Sequence, residues 1–397
     1  MSPIRSDHRP GPPRRRCSAI TRRSFLKAIG ALAGTAVLDG CCPAAPATAS
    51  PTAVTPGATP VTTSPAPATP WSTSAPALVA IGQAASYDPK LVRQQVEAVF
   101  DDLGGLEDVV RTGDRVAIKV NLTGGVRGAS PSVVANAPET YVTHPAVARA
   151  VGELLRDAGA REIYIVESVW EWASFEEWGY AEVADDLGAK LIDLNDSEPY
   201  SDYATTPVGR DWFIYESFTF NHILEEVDAF VSLAKMKCHW LCGITQSMKN
   251  LIGLVPYRFY ELKAGDGYRT GLHGPEAETK SRLPRVVVDL NRARPIDLSL
   301  IDGIKTVDGS EGPWNRNLGP QSPGLLIGGK NALATDAVAV AAMGFDPAAE
   351  YPDAPFLRAD NHLNIACAME MGTNRLADID VVGAKLDDVT SAFQPAW

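Results

Sequence analysis

The feature that most constrains the fold of this chain is an alternation of short apolar, β-branched runs with amphipathic segments. Residues 78–81 predict a first strand, and apolar residues at helical spacing predict a helix over 89–103. A second strand is predicted at 115–120, a helix at 145–158 and a third strand at 163–167. Strands that alternate with helices predict an α/β fold with a mostly parallel, Rossmann-like sheet and helices on both faces. The sheet is expected to form one domain or two interleaved subdomains.

The pattern continues less regularly toward the C-terminus. Residues 229–234 form an almost continuous apolar run, which is typical of a strand buried on both faces. Further strands are predicted at 297–302 and 380–382, and a helix at 331–343. Open parallel sheets bind ligands at the carboxyl ends of their strands. The polar residues that follow these strands are therefore the first candidates for a site.

Residues 1–42 have the features of an export signal. Arg22 and Arg23 precede Phe-Leu-Lys and an apolar run that is too short to cross a bilayer, and this arrangement resembles the signal read by the twin-arginine translocase. The following Leu-Asp-Gly-Cys resembles a bacterial lipobox and predicts a lipid on Cys41. Cleavage after Ala49 is the alternative. We expect an exported, extracytoplasmic lipoprotein anchored to the membrane.

Two composition changes separate this signal from the rest of the chain. Residues 43–76 contain no charged side chain and consist mainly of Pro, Ala, Thr and Ser, which predicts an extended tether ahead of a folded domain at 77–397. The chain carries a net charge of −12 although its first 40 residues hold eight basic and only two acidic side chains. A folded domain this acidic repels phosphate backbones and excludes nucleic-acid binding. Any anionic ligand would need a local basic pocket.

One basic cluster follows the most apolar of the predicted strands. Lys235, Lys237 and His239 alternate, so they project from one face if the strand continues, and Lys249 follows a helix start predicted around 243–245. Cations beside the N–H groups of a helix start form an anion site. The alternative is a solvated rim in which these lysines pair with acidic groups.

The same segment allows a metal interpretation. Cys238, His239 and Cys242 are soft ligands at close spacing, and Asp302 or Asp336 could supply oxygen. A structural zinc site needs a second pair of ligands, and none is apparent, so no metal ligands are assigned. Packed thiols and a disulfide between Cys238 and Cys242 are the open alternatives.

Aromatic residues and one glycine-containing loop complete the candidates. Trp170, Trp172 and Trp178 predict an aromatic wall beside the end of the third strand, or packing in the core. The loop at 309–313 is interpreted as a lid or as a simple connection.

Several segments together resemble the bacterial and archaeal family called domain of unknown function 362. They are IKVNL at 118–122, THP at 143–145, KMKCH at 235–239, GIT at 243–245, MKNLIG at 248–253, IDG at 301–303, GSEGP at 309–313, ATDAVA at 334–339 and NHL at 361–363. The resemblance covers nearly all of residues 77–397 and implies a Rossmann-like domain without implying a reaction. Many members carry cysteine motifs that bind iron–sulfur clusters. This chain has no Cys-x-x-Cys-x-x-Cys run, so such a cluster is not expected and the cofactor is left unassigned.

The function predicted from these residues is that of an exported enzyme acting on a small anionic substrate. The expected ligand-binding residues are Lys119, Asn121, Lys235, Lys237, Lys249 and Asn250. The expected general acid or base is one of His239, Asp302 and Asp336. The alternative is a tethered binding protein that holds an anionic or metal-containing ligand in the same pocket without turnover. An enzyme would show a group with a strongly perturbed pKa in the cleft, whereas a binding protein needs only matched charges and hydrogen bonds. Both hypotheses predict that Lys235, Lys237, Lys249 and Asp302 converge on one cleft.

Overall fold

The computed structural model describes residues 76–128, 136–315 and 317–396. The predicted export signal, the predicted lipidation site Cys41 and the predicted tether up to residue 75 lie outside these residues. None of the helices in the described residues has the length and apolarity needed to cross a membrane.

The described residues form strands and helices in alternation. The strands are β1 (Ala77–Gln83), β2 (Arg115–Lys119), β3 (Glu162–Glu167), β4 (Lys190–Asp193), β5 (Tyr203–Pro207), β6 (Ser217–Asn221), β7 (Ala229–His239), β8 (Gly243–Thr245), β9 (Leu298–Asp308), β10 (Gly319–Gln321), β11 (Leu325–Gly329) and β12 (Ile379–Gly383). The α-helices are α1 (Pro89–Asp102), α2 (Gly125–Gly128), α3 (Pro145–Asp157), α4 (Ala173–Glu177), α5 (Tyr180–Leu187), α6 (Ile223–Glu226), α7 (Ser247–Asn250), α8 (Thr270–His273), α9 (Glu276–Ala293), α10 (Ala332–Ala342), α11 (His362–Ala368) and α12 (Leu386–Val389). Short 3₁₀ turns lie at Leu251–Leu254, Tyr257–Phe259 and Leu376–Asp378.

The central sheet has the strand order β12-β1-β11-β9-β7-β2-β3-β4, with β8 added to β7 and β10 added to β9. Strands β9, β7, β2, β3 and β4 are parallel neighbours, and β12 is parallel to β1. Strand β11 is antiparallel to both β1 and β9. The prediction of an α/β fold with a mostly parallel sheet is confirmed.

Helices cover both faces of this sheet, and strand β2 shows why its central residues are all apolar. Val116 and Ile118 are buried in the hydrophobic cluster that includes helices α1 and α3. Ala117, between them, is buried in a separate cluster on the other face, with helix α9. Successive strand residues point to opposite faces, so a strand covered on both sides buries all of them.

Two segments differ from the sequence-based expectation near the basic cluster. Strand β7 does not end with its apolar run but continues through Lys235 to His239. Residues Gly243–Thr245, where the sequence predicts the start of a helix, form strand β8 and pair with Lys237–His239. The prediction of a helix start at 243–245 is therefore wrong, and the helix begins at Ser247. The pairing forms between the two strands of a hairpin, so the local propensity of Gly243–Thr245 does not predict it.

Helix α9 and the β5–β6 hairpin are not predicted by the strand and helix patterns. Pro284 lies inside α9, and an internal proline argues against a helix because it lacks the N–H donor. The helix forms because Leu283, Val286, Val287 and Leu290 bury one face against the sheet.

Candidate functional site

A cleft lies at the carboxyl ends of β2, β3 and β7, where the topology of the sheet predicts a ligand site. It encloses about 500 Å³ of space, part of which is open to solvent. The residues that line it are Lys119, Asn121, Leu122, Thr123, Glu167, Ser168, Trp170, Lys237, His239, Thr245, Lys249, Asn250, Ile252, Gly253, Arg269 and Glu311. Strand β7 forms one wall because it continues beyond β2 and is paired there with β8.

The floor of the cleft is a buried ion pair between Lys119 and Glu167. Lys119 Nζ lies 2.9 Å from Glu167 Oε2 and also donates to Val120 O at 2.6 Å. The backbone N–H groups of Leu122 and Ser168 donate to the two oxygens of Glu167 at 3.0 and 2.9 Å. Burial lowers the pKa of Lys119, while Glu167 acts against that shift. Because both charges are fully hydrogen-bonded, this pair organises the ends of β2 and β3.

Asn121 and Asn250 connect the floor to the wall of the cleft. Asn250 Oδ1 accepts from Asn121 Nδ2 at 3.1 Å and from Lys119 Nζ at 3.3 Å. The other end of the Asn250 amide donates to Lys119 O and to Ser232 Oγ, both at 3.1 Å. Asn121 Oδ1 accepts from Lys237 Nζ at 3.0 Å. Both asparagines therefore hold lysines in place inside the cleft.

Lys237 and Lys249 are cations without a carboxylate partner in the described part of the chain. Lys237 Nζ donates to Asn121 Oδ1 and to Tyr141 O, and its nitrogen faces the Tyr141 ring. Burial lowers the pKa of Lys237 to about 7, and Glu311 acts in the opposite direction. Burial also lowers the pKa of Lys249. Two buried cations that make no ion pair with a carboxylate favour binding of an anion in the cleft, since an anion restores the stabilisation lost with water.

Arg269 adds a third cation at the edge of the cleft. Its Nε donates to Val255 O at 2.8 Å, and one terminal nitrogen donates to Ser168 O at 3.1 Å and to Asn195 Oδ1 at 3.4 Å. None of these acceptors is a carboxylate, and the other terminal nitrogen makes no hydrogen bond within the described residues. The guanidinium is therefore held rigidly, with its charge and one terminal nitrogen available to a ligand.

His239 is held by the turn that follows β7. Its Nδ1 accepts from the backbone N–H groups of Leu241 and Cys242 at 3.1 and 3.2 Å. A nitrogen that accepts two N–H bonds carries no proton, so the neutral ring has its proton on Nε2. Burial lowers the pKa of His239 well below its ordinary value, and the nearby Lys249 adds to this shift. His239 is thus built to donate a hydrogen bond from Nε2, and using Nε2 as a base would require breaking both turn contacts.

Thr245 and Glu311 complete the polar lining. Thr245 is buried, and its Oγ1 has no hydrogen-bond partner in the described residues. An orphaned buried hydroxyl costs about 1–3 kcal/mol, which a ligand oxygen in the cleft would recover. Glu311 accepts from Trp240 N, in the turn between β7 and β8, at 2.9 Å and from Trp314 Nε1 at 2.7 Å, so both of its oxygens are engaged.

Lys235 and Asp302, predicted to share this cleft, are not among the residues that line it. They form a separate, fully buried ion pair with Nζ and Oδ2 2.9 Å apart. Tyr87 OH donates to Asp302 Oδ1 at 2.8 Å, and His144 N donates to Oδ2 at 3.0 Å. Tyr87 also stacks on the His144 ring at 3.6 Å. The strand geometry places Lys235, Lys237 and His239 on one face as expected, but Asp302 on the adjacent strand β9 neutralises the first of them.

Asp336 also lies outside the cleft lining, although it shapes one side of it. Its two oxygens accept from Ser247 N and Met248 N at 2.8 and 2.9 Å, so the carboxylate binds the free N–H groups at the start of helix α7. Burial raises the pKa of Asp336 to about 7. Asp336 therefore positions the helix that carries Lys249 and Asn250, and it does not face the ligand space.

The metal and disulfide alternatives for the Cys-His-x-x-Cys segment find no geometry to support them. Cys238 and His239 point to opposite faces of β7, and Cys238 Sγ donates to Gln394 O at 3.1 Å. Cys238 and Cys242 are both buried and unpaired, so the disulfide alternative is wrong. Within residues 76–128, 136–315 and 317–396, no three His, Cys, Asp or Glu side chains are grouped as metal ligands.

The residues assigned to the site from the sequence do not include every polar group of the lining, and the omissions are Thr123, Glu167, Ser168, Thr245, Arg269 and Glu311. Glu167 stands at the end of a predicted strand, so its position indicates the edge of the sheet. Glu311 belongs to the loop interpreted as a lid or a connection. Arg269 follows no strand and repeats no pattern, and only the path of the chain after Val255 brings it to the cleft.

The summed charge of the lining is positive in an acidic protein. Lys119, Lys237, Lys249 and Arg269 face two carboxylates, Glu167 and Glu311, whereas the chain as a whole carries −12. Cations fixed by backbone carbonyls and amides bind phosphate or carboxylate without having to be reordered.

Comparisons with known proteins place this cleft within a matched region. The chain is 26% identical to a thylakoid-associated protein of Synechocystis sp. over 277 residues, which cover 68% of this chain and 75% of that protein. A crystal structure of a structural-genomics protein of Thermotoga maritima is 14% identical, with a TM-score of 0.34, and the match covers 72% of this chain and 60% of that one.

The lactate racemase apoprotein of Thermoanaerobacterium thermosaccharolyticum is 12% identical, with a TM-score of 0.36, over 66% of this chain and 57% of its own. The chain thus spans less than two thirds of either solved structure, and TM-scores this low indicate only a distant likeness.

The family model described as Domain of unknown function (DUF362) matches residues 116–341, which contain every residue that lines the cleft. Because this match extends over more than half of the sequence, the chain belongs to the DUF362 family.

Proposed function

We propose that the protein binds a small anionic molecule, a phosphate or a carboxylate, in the cleft at the carboxyl edge of its sheet. The observation that carries this proposal is the pair of buried cations, Lys237 and Lys249, that face one cleft without a carboxylate partner in the described residues. Arg269 and the orphaned hydroxyl of Thr245 supply further donors on the same lining. A neutral ligand would leave these charges uncompensated.

The proposal is tested by calorimetric titration of the folded protein with inorganic phosphate and with acetate. Removing one charge-assisted hydrogen bond costs about 1.5–3 kcal/mol, so we expect the Lys249→Met variant to bind the anion about 10- to 100-fold more weakly. The Lys385→Met variant is the matched control, because Lys385 is exposed and does not line the cleft. The substitution makes the same change in net charge as Lys249→Met. Equal affinities for the wild type and the Lys249→Met variant would contradict the proposal.

Catalysis in the same cleft is a second candidate function, and the pKa of Lys237 favours it. An amine that titrates at about 7 can both donate and accept a proton near neutral pH, as a general acid or base must. In this proposal Lys237 moves the proton, and His239 donates a hydrogen bond from Nε2 to the oxygen of the substrate. Asp302 and Asp336 have no part in it because their oxygens are engaged in buried hydrogen bonds. A bell-shaped or sigmoidal pH profile of turnover with a midpoint near 7 would support this candidate over a binding protein.

We further propose that the protein is exported by the twin-arginine translocase and held at the membrane by a lipid on Cys41. The support is the arginine pair ahead of a short apolar run, the lipobox-like segment and the uncharged residues 43–76. The name of the Synechocystis relative, thylakoid-associated, is consistent with work at a membrane surface.

Fractionation of cells that produce the full chain tests this location. We expect Arg22→Lys combined with Arg23→Lys to retain the protein in the cytoplasm. The same exchange at Arg14 and Arg15 is the control, since it alters an equal number of arginines outside the twin-arginine pair. A protein that reaches the exterior despite the exchange at Arg22 and Arg23 would contradict the proposed route, and an unmodified Cys41 in the mass spectrum of the mature protein would contradict the anchor.

A further inference from the structure

A second pocket opens beside the positively charged cleft and shares part of its wall. It contains about 420 Å³ of space, part of which is open to solvent, and is lined by Ser168, Val169, Trp170, Asn195, Tyr257, Gly267, Tyr268 and Arg269. Ser168, Trp170 and Arg269 line both spaces. We refer to this space as the side pocket.

The walls of the side pocket are aromatic and unusually exposed. Trp170 is 48% exposed, Tyr268 is 53% exposed and Tyr257 is 39% exposed. The rings of Trp170 and Tyr268 meet edge to face with centroids 5.0 Å apart. Large aromatic side chains gain free energy by covering their faces, so a group of half-exposed rings around one pocket indicates a ligand surface.

The side chains of Asn195 and Ser168 in the side pocket are already hydrogen-bonded. Asn195 Oδ1 accepts from Tyr257 N at 3.3 Å, and Asn195 Nδ2 donates to Val169 O at 2.7 Å. Ser168 Oγ donates to Val255 O at 3.2 Å. The pocket thus offers mainly ring faces, with the hydroxyls of Tyr257 and Tyr268 and the Arg269 guanidinium as its polar groups. A lining dominated by aromatic rings suits a planar ring more than a hydroxylated sugar.

Arg269 stands at the junction of the two spaces, fixed by its bonds to Val255 O and Ser168 O. From there its charge reaches a ligand in either space. One molecule can therefore place an anionic group near Lys237 and Lys249 while its remaining part lies against Trp170 and Tyr268.

We propose that the natural ligand is an aryl or heteroaryl anion, in which a phosphate or carboxylate is joined to a planar aromatic ring, with the ring bound in the side pocket. The proposal rests on the anion-binding function proposed above. It narrows the ligand from any small anion to one with an aromatic part.

Paired probes separate the two proposals. Calorimetric titrations compare inorganic phosphate with phenyl phosphate, and acetate with phenylacetate. Burial and stacking of one ring are expected to make the aryl member of a pair bind about tenfold more tightly. If no anion binds, the proposed anion function fails and the aryl inference fails with it. If the simple anions bind and their aryl partners gain nothing, the aryl inference alone is overturned.

Two variants test whether the higher affinity of the aryl probes arises from the side pocket. Tyr268→Ala is expected to reduce the ratio of phenyl phosphate to phosphate affinity from about ten toward one. Trp172→Ala is the matched control, because Trp172 is similarly exposed, at 47%, and lines neither space. An unchanged ratio in the Tyr268→Ala variant would overturn the assignment of the ring to the side pocket. Glucose 6-phosphate serves as the sugar probe, and a gain for it that exceeds the gain for phenyl phosphate would overturn the aromatic class.

Discussion

At the scale of single residues, Lys237 carries the charge whose cost depends most clearly on pH. Burial lowers its pKa to about 7, whereas a lysine in the unfolded chain titrates near 10.4. Between these pH values the unfolded chain binds more protons than the folded protein, so the contribution of Lys237 makes the folded state more stable as pH rises. Below pH 7 the full cost of burying the charge is present.

We therefore expect the stability of Lys237→Met relative to the wild type to decrease with rising pH. The variant lacks the buried charge. The difference between its free energy of unfolding and that of the wild type should therefore decrease by up to about 1.4 kcal/mol per pH unit between about pH 7 and pH 10. Loss of the donor to Asn121 Oδ1 and Tyr141 O costs about 1–3 kcal/mol at every pH. Urea unfolding at about pH 6 and pH 9 measures both effects, and a difference that does not vary with pH would contradict the buried cation.

His239 has two separable roles, one for each ring nitrogen. In His239→Asn, the side-chain oxygen can replace Nδ1 as acceptor for Leu241 N and Cys242 N, so we expect a stability within about 1 kcal/mol of the wild type. The variant lacks Nε2, and anion affinity should fall about fivefold or more. His239→Ala should lose both stability and affinity. If Asn and Ala destabilise equally, as measured by thermal unfolding, then Nδ1 does not hold the turn.

At the scale of the elements, the 3₁₀ turn Leu251–Leu254 packs directly on the ion pair beneath the cleft. A Cβ at Gly253 would lie 2.2 Å from Glu167 Oε1 and 2.8 Å from Lys119 Nζ. The backbone of Gly253, at φ −82°, is accessible to any residue, so crowding alone requires the glycine.

Gly253→Ala should therefore displace the ion pair, destabilise the protein by about 1–3 kcal/mol and weaken anion binding. Gly104→Ala is the contrasting control, because Gly104 has open space around it but a φ of +83°. There we expect a loss of about 1 kcal/mol from backbone strain, with anion affinity unchanged. Titration and urea unfolding of both variants distinguish the causes, and wild-type anion affinity in Gly253→Ala would contradict the packing argument.

Helix α7 depends on a carboxylate from another element. Asp336 of helix α10 accepts from Ser247 N and Met248 N, and these bonds place Lys249 at the cleft. Asp336→Asn presents an N–H₂ group to one of these donors, and we expect it to lower the free energy of unfolding by about 1–3 kcal/mol.

The pH dependence identifies the origin of this loss. Burial raises the pKa of Asp336 to about 7, so the folded state holds its proton to higher pH than the unfolded chain does. The contribution of Asp336 to stability therefore falls as pH rises from about 4 to about 7. Asp336→Asn should remove this slope from the urea-unfolding free energies, and an unchanged slope would assign the slope to another group.

At the scale of the whole molecule, folding, anion binding and proton binding are linked. An anion that binds only the folded state stabilises it by about 2.7 kcal/mol at a concentration one hundred times its dissociation constant. Binding also favours protonated Lys237, so affinity should decline as pH rises above about 7. Sulfate is a suitable probe because its charge is constant over this range.

We expect sulfate to raise the melting temperature more at about pH 6 than at about pH 9. Sulfate also stabilises folded proteins in general, without binding to a specific site. The Lys249→Met variant, in which the cleft is impaired, measures this general effect. Differential scanning calorimetry at both pH values measures the shifts. If the wild type and the variant respond equally, sulfate acts on the protein surface and not at the cleft.

Local sequence patterns predict many of the strands and helices, but they predict only part of the cleft. Strand β2 is apolar from Val116 to Ile118 because both faces are covered, and its end at Lys119 marks the edge of the sheet. Helix α9 is missed by pattern because Pro284 contradicts the local rule, while burial of its apolar face stabilises the helix. Local sequence reports propensity, whereas burial is a property of the assembled layers.

The amino-acid sequence alone is sufficient for the fold class and for the edge of the sheet near which Lys119, Asn121, Lys237 and His239 lie. Periodicity and chain direction specify these, since parallel strands bring their carboxyl ends to one edge. It takes the folded molecule to show that Lys235 is neutralised by Asp302 while Lys237 and Lys249 are not, and that Arg269 joins them. Whether a cation is paired or available depends on distances between side chains far apart in the chain, which alternation and composition do not contain.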